Sequence, residues 1–203
     1  MVLGKAAPIG ILNSIKKQGR QHYPSFSEYL LCGDRANFIL KEDEPETEEL
    51  FQFLDDLLVK LDSGLKTKHV RRKASILISD AFTKTRQLLH SDYAPPVVMQ
   101  GMKNCRTHSY SIIVATRRTK MYVIQNSQGR KGPFALSELT EVVLEAGDVL
   151  VFDGYLVHAG AEFIGCKDVV DFRLHCYAPV VIHGRCLDGD KVLENKVAPV
   201  KAM

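Results

Sequence analysis

From residue 75 to residue 178 the chain is cut into short β-rich runs by Gly, Pro, Asn and Asp, and this punctuation narrows the fold more than any other feature. The runs fall at 75–79, 87–90, 97–99, 110–116, 120–125, 141–144, 149–152, 156–158 and 172–178. No helical repeat separates one from the next, as a parallel sheet with crossover helices would require. Many short strands joined by tight turns predict a sandwich or a closed barrel. The fold class expected is mainly β, with a helical layer packed on one sheet (α+β).

The helical layer has one clear candidate. Residues 41–49 are charged and mostly acidic, and Pro45 sits where a first helical turn can accept a missing N–H. Leu50, Leu54, Leu57, Leu58 and Leu61 then recur at helical spacing, with Gly64 as a stop. Residues 1–40 hold no strong pattern and read as loop with short helical pieces, around Tyr23-Pro24-Ser25-Phe26 and Cys32-Gly33-Asp34. No repeat or low-complexity linker divides the 203 residues, and a chain of this length buries about 70% of its unfolded surface in one core. A single domain over 1–203 is expected: helical support at 1–74, a β core at 75–182 and a loosely attached tail at 183–203.

Composition excludes several classes. Hydrophobic residues at 45% and charged ones at 25% are ordinary for a globular protein, and a net charge of +3 is too small to argue for nucleic acid or an anionic membrane. Cys32, Cys105, Cys166, Cys176 and Cys186 are odd in number and never in C-x-x-C spacing, against a disulfide scaffold or zinc ribbon. Neither a membrane span nor a signal-peptide apolar stretch is visible, so a soluble intracellular protein, cytoplasmic or nuclear, is expected. The run Lys66-Thr67-Lys68-His69-Val70-Arg71-Arg72-Lys73 and the cluster Arg117, Arg118 and Lys120 fit solvated loops, and nucleic acid stays open as a partner. Aromatic residues are not interleaved with them, which removes the usual stacking platform. Oligomeric state and substrate are not specified by the sequence.

The chemistry is carried by His90-Ser91-Asp92. An imidazole and a carboxylate two residues apart project from one face of a strand. A second imidazole from a distant strand, His158, would complete a two-His-one-carboxylate set, which leaves the remaining positions of Fe(II) open. H-x-D alone is common and equally fits a strand end before the Ala94-Pro95-Pro96 turn. His158 alone fits a hydrogen-bonded core histidine, and Arg173 a surface residue paired with Asp171 or Glu162. The joint order favours a site. Gly147-Asp148 signals a turn, 149–152 a β-rich run, Asp153-Gly154 another turn, and a short apolar run ends at His158. Arg173 follows on a run that alternates Arg173, His175 and Tyr177 with Phe172, Leu174 and Cys176. The first set suits a ligand pocket and the second the helical layer.

Over roughly 85–180 the chain resembles the 2-oxoglutarate- and Fe(II)-dependent dioxygenase superfamily, especially its phytanoyl-CoA hydroxylase-like and prolyl-hydroxylase-like branches. These carry H-x-D, a G-D…G…H stretch, and an Arg or Lys on the next major strand. The resemblance implies a double-stranded β-helix (jelly roll) and Fe(II) held by His90, Asp92 and His158. It further implies 2-oxoglutarate on two metal positions, O2 on the third, and the far carboxylate of the cosubstrate on Arg173. Tyr110, with Ser111 and Tyr122, is a further candidate contact to that carboxylate. Arg185 is the next cation if Arg173 is not the anchor. His175 is expected to orient a ligand or touch substrate, since the implied third ligand follows the G-D…G stretch as His158 does. The implied activity is hydroxylation, or demethylation by hydroxylation. Cupin-like modules share the G-D…G…H element, so the alternative is a jelly-roll binding module without oxygenase turnover. Loops at 103–108 and 126–133 are expected to frame the substrate mouth.

Overall fold

The computed structural model describes residues 1–31, 35–41, 43–61, 73–93, 107–128, 130 and 132–181. The run at 97–99, the basic segment 66–72, the Gly64 stop, Arg185, the tail and most of the 103–108 loop lie outside them.

The leucine-patterned segment forms α2, Pro45–Leu61. Glu46 and Glu48 in its first turn face the positive end of the helix dipole, and Lys60 the negative end. The Thr47 hydroxyl donates to the carbonyls of Glu44 (2.8 Å) and Lys41, tying down the chain that leads in. Leu50, Phe51, Leu54, Leu57 and Leu58 are buried.

The N-terminal forty residues differ from the expectation. They form β1 (Val2–Leu3), a 23-residue helix α1 (Ile9–Leu31) and β2 (Ala36–Ile39). Ile11, Leu12 and Ile15 are buried at helical spacing. The polar run that follows, two glycines and the internal Pro24 dilute that pattern in the sequence. Tertiary contact rather than propensity holds this helix. At Gly19 a Cβ would lie 2.1 Å from the Phe172 ring, so the helix crosses the sheet where a side chain is missing.

The remaining strands are β3 (Lys73–Ser79), β4 (Thr107–Ala115), β5 (Thr119–Ile124), β6 (Leu139–Leu144), β7 (Val149–Asp153), β8 (His158–Gly160) and β9 (Asp171–Val181). They build a six-stranded sheet in the order β1-β7-β4-β9-β3-β2 and a three-stranded sheet in the order β6-β5-β8, with every pairing antiparallel. The turn between β6 and β7 needs Gly147 at φ 91°, a left-handed conformation glycine adopts without strain.

Period-two alternation sorts the large sheet into two faces. Ile76, Ile78, Ile112, Val114, Val149, Val151, Phe172, Leu174 and Cys176 pack against α1 and α2. Ile113, Ala115, Leu150 and Phe152 point the other way, onto Met121 and Leu144 of the small sheet. The core thus has two layers, and the site lies in the inner one. Two expected strands shift. The 87–90 run forms no regular strand, with one bridge at His90 and a Gln87 N–H bond to the Gly160 carbonyl at 2.9 Å, and the run expected at 156–158 begins at His158. The Asp153 turn extends further than its dipeptide suggests: Asp153 accepts from the Tyr155 N–H through Oδ1 and from the Leu156 N–H through its carbonyl, both at 2.8 Å.

Candidate metal centre

His90 and His158 face each other across an antiparallel bridge and exchange both backbone hydrogen bonds, at 2.9 and 2.8 Å. Such a hydrogen-bonded pair fixes two Cα atoms opposite one another. Their rings lie 4.4 Å apart, and the edge of Phe152 supports the His158 ring at 4.8 Å. Each imidazole spends Nδ1 on the carbonyl two residues before it, His90 on Leu88 at 2.8 Å and His158 on Leu156 at 2.9 Å. A carbonyl only accepts, so Nδ1 carries the proton and Nε2 keeps its lone pair in both rings. This fixes the tautomer a metal ligand needs.

Asp92 is buried rather than on an exposed strand end, and it reaches the same point. It does so from a bend after the bridge, held where the Tyr93 N–H bonds the Gly154 carbonyl at 3.1 Å. Its two oxygens meet different neighbours. Oδ1 is buried without a hydrogen-bond partner among the described residues and lies 3.5 Å from His158 Nε2. Oδ2 accepts from the Ser111 hydroxyl and lies 3.4 Å from His175 Nε2. One ligand atom each from His90, Asp92 and His158 falls within 4.8 Å of the others.

Electrostatics prepare the same set. Burial alone would raise the Asp92 carboxyl, but His158, His175 and Ser111 outweigh it and hold the group well below the usual carboxylate range. Burial, with His90 and His175 nearby, pulls His158 down to about 4 against the opposing pull of Asp92. At neutral pH the cluster is therefore a carboxylate beside a neutral imidazole, the donor set a divalent cation takes. A buried carboxylate oxygen with no partner and two imidazole nitrogens with free lone pairs fit such an ion.

The cluster opens into a cavity of about 480 Å³ whose lining includes His90, His158, Arg173, His175, Tyr177 and Arg35. Arg173 is buried, and Asp171 is its partner: Nε lies 3.2 Å from Asp171 Oδ2. Nη1 donates to Thr119 Oγ1 at 3.4 Å and Nη2 to Ser79 Oγ at 3.2 Å. A guanidinium has five N–H groups, so one on each Nη is left for a ligand in the fork that suits a carboxylate.

His175 lies on the cavity face of β9, against the second oxygen of Asp92. Ser111 reaches Asp92 rather than standing near Arg173. Tyr110 is not brought to the site. It shares a face of β4 with Ile112 and packs toward the helices. Strand alternation makes one neighbour of the Tyr110-Ser111 pair point inward and the other outward. Tyr122 carries Arg86 over its ring, 5.9 Å from the centroid, and does not line the cavity. Arg35 is a lining residue that no sequence pattern marks, because it lies outside every motif and 125 residues from the carbonyl of Gly160 that it bonds.

No family model matches the sequence, and no curated protein matches it. Solved structures do match. HygX from Streptomyces hygroscopicus, solved with nickel and 2-oxoglutarate bound, superposes with a TM-score of 0.60 at 14% identity, over 88% of this chain and 82% of HygX. A prolyl-4-hydroxylase from Pseudomonas putida gives 0.57 at 11% identity, over 91% and 92% of the two chains. SnoN, a non-heme alpha-ketoglutarate-dependent epimerase from nogalamycin biosynthesis, gives 0.55 at 12% identity, over 100% of this chain and 86% of SnoN. With two antiparallel sheets, a helical layer and a His-Asp-His cluster between the sheets, the chain has the fold of these solved proteins.

Proposed function

We propose that the protein is an Fe(II)- and 2-oxoglutarate-dependent dioxygenase that hydroxylates, or by hydroxylation demethylates, its substrate on a double-stranded β-helix core. The observation that carries this reading is a single cavity holding both a three-ligand cluster and a buried arginine with donors to spare. His90 Nε2, Asp92 Oδ1 and His158 Nε2 would hold the metal, and Asp92 would offset one unit of its charge. Arg173 would bind the far carboxylate of 2-oxoglutarate. When bound, Fe(II) with 2-oxoglutarate supplies O2 activation coupled to decarboxylation to succinate, and with it oxidation of an unactivated C–H bond.

The chain's own residues do the rest. Ser111 and His175 hold Asp92 Oδ2, so the carboxylate presents Oδ1 alone. The Leu88 and Leu156 carbonyls orient the imidazoles. Asp171, Thr119 and Ser79 hold the Arg173 fork in place. Leu77, Ile113 and Met121 line the cavity with apolar surface, which strengthens the contact to Arg173 by excluding water.

Anaerobic Mn(II) titration should saturate at one ion per chain, and the loaded protein should then bind 2-oxoglutarate. His90→Ala and Asp92→Ala should each weaken metal binding strongly; unchanged affinity in both would sink the ligand assignment. Arg173→Ala should keep the metal and weaken 2-oxoglutarate by about 1.5–3 kcal/mol, roughly ten- to hundredfold. Aerobic conversion of 2-oxoglutarate to succinate without added substrate separates this reading from a binding module of the same fold, which would give none.

A further inference from the structure

Arg35 precedes β2 and reaches across the cavity. Its Nη2 donates to the carbonyls of Thr85 (3.0 Å), Gly160 (3.3 Å) and Ala161, while Nε is buried without a hydrogen-bond partner among the described residues. The register fixes its depth. On β5, Val123 lies opposite His158 and Met121 opposite Gly160, and Thr119, which Arg173 bonds, is two residues further along. Arg35, tied to Gly160 and Ala161, therefore stands between the level of the metal cluster and the level of Arg173.

Arg35 lines the same cavity as His158 and Arg173. Gly160 shares a strand face with His158, and its missing side chain lets Gln87 and Arg35 pack against β8: a Cβ there would lie 2.6 Å from Gln87 Oε1 and 3.7 Å from Arg35 Nε. Asp171 is paired with Arg173, and Glu162 is the acid acting on Arg35. Burial first, and the nearby Arg173 second, pull Arg35 down to about 10, which leaves it cationic at neutral pH. Two guanidinium groups in one low-dielectric cavity repel each other unless an anion lies between them.

We propose that Arg35 is a second cosubstrate-binding residue, sharing the distal carboxylate of 2-oxoglutarate with Arg173. This rests on the 2-oxoglutarate reading above and adds a donor from beside the edge strand β2, two strands away from β9. Arg35 then has two tasks: Nη2 secures the β8 carbonyls, and the rest of the fork meets the ligand.

The test compares 2-oxoglutarate with 2-oxobutyrate, which has the same keto-acid head and no distal carboxylate. Both are titrated calorimetrically into Mn(II)-loaded protein without oxygen. Arg35→Gln should weaken 2-oxoglutarate by about 10- to 100-fold, as loss of a charge-assisted hydrogen bond does, and leave 2-oxobutyrate and Mn(II) affinity unchanged. Arg35→Lys should recover part of the loss. If Arg35→Gln does not fold, Arg35→Lys alone decides, with 2-oxoglutarate weakened and 2-oxobutyrate not. Equal weakening of both acids would mean that Arg35 only holds β8 in place, and no weakening of either would exclude it from the subsite. Both results overturn the proposal. Arg173→Gln is the control: its loss of 2-oxoglutarate alongside an unaffected Arg35→Gln leaves the dioxygenase reading standing. Wild-type protein that binds neither acid overturns both.

Discussion

Asp92 turns its two oxygens to different neighbours, and that division predicts how those neighbours behave when changed. His175 touches only the oxygen turned away from His158. His175→Ala should therefore keep near-stoichiometric Mn(II) and lose about 10–100-fold in affinity or turnover, the usual effect of removing a group that orients a ligand. His158→Ala should lose the metal itself. Metal content measured side by side decides, and an empty His175→Ala site beside a loaded His158→Ala site would reverse the assignment. Ser111→Ala removes a donor from a buried carboxylate, at about 1–3 kcal/mol, and should appear as weaker Mn(II) binding with an intact fold. His90, Asp92, His158 and Arg173 were legible because each lies in a short linear pattern. The role of Ser111 was not, since it depends on which face of β4 carries which side chain and on a partner 19 residues away. The same alternation removed Tyr110.

Among the elements, α2 was readable and α1 was not, for a physical reason. Five leucines at helical spacing announce a face to be buried. In α1 the buried stripe is narrow, and Gly19 takes the place of an apolar residue where the helix meets Phe172. Gly19→Ala tests this directly. On an isolated helix the change would be favourable. Here it forces a methyl group into an aromatic ring, and overpacking of this kind costs about 1–3 kcal/mol. Urea denaturation should report a lower midpoint with an unchanged slope, while Mn(II) stoichiometry is kept. Stabilisation instead would mean that the helix crosses the sheet more loosely than described. The displacement of β8 has a similar origin: Asp153 bonds both Tyr155 and Leu156, and no dipeptide rule shows how far a turn propagates.

For the whole molecule, the two-layer plan followed from the punctuation between strands, and the helices on one face followed from the alternation in β9. Strand order did not, because pairings such as β1 with β7 join residues nearly 150 positions apart. Among the described residues no helix is long and apolar enough to cross a membrane. Ligands that bind only the folded chain must raise its stability, by about 2.7 kcal/mol at a hundredfold excess over Kd. Mn(II) should therefore raise the Tm, 2-oxoglutarate should raise it again, and a chelator should return it to the metal-free value. In Arg173→Ala the first step should survive and the second shrink.

The reciprocal bridge between His90 and His158 has one more consequence. The ordering cost of these two ligands is met when the sheets form, not when an ion arrives, so loading the site needs no rearrangement of the backbone that carries them. Metal-free and Mn(II)-loaded protein should give superposable far-ultraviolet circular dichroism. In the metal-free chain the amide hydrogens of His90 and His158 should exchange as slowly as those of β5, opening only when the small sheet itself opens. Rapid exchange at these two amides, slowed by metal, would instead mark a centre that the ion assembles.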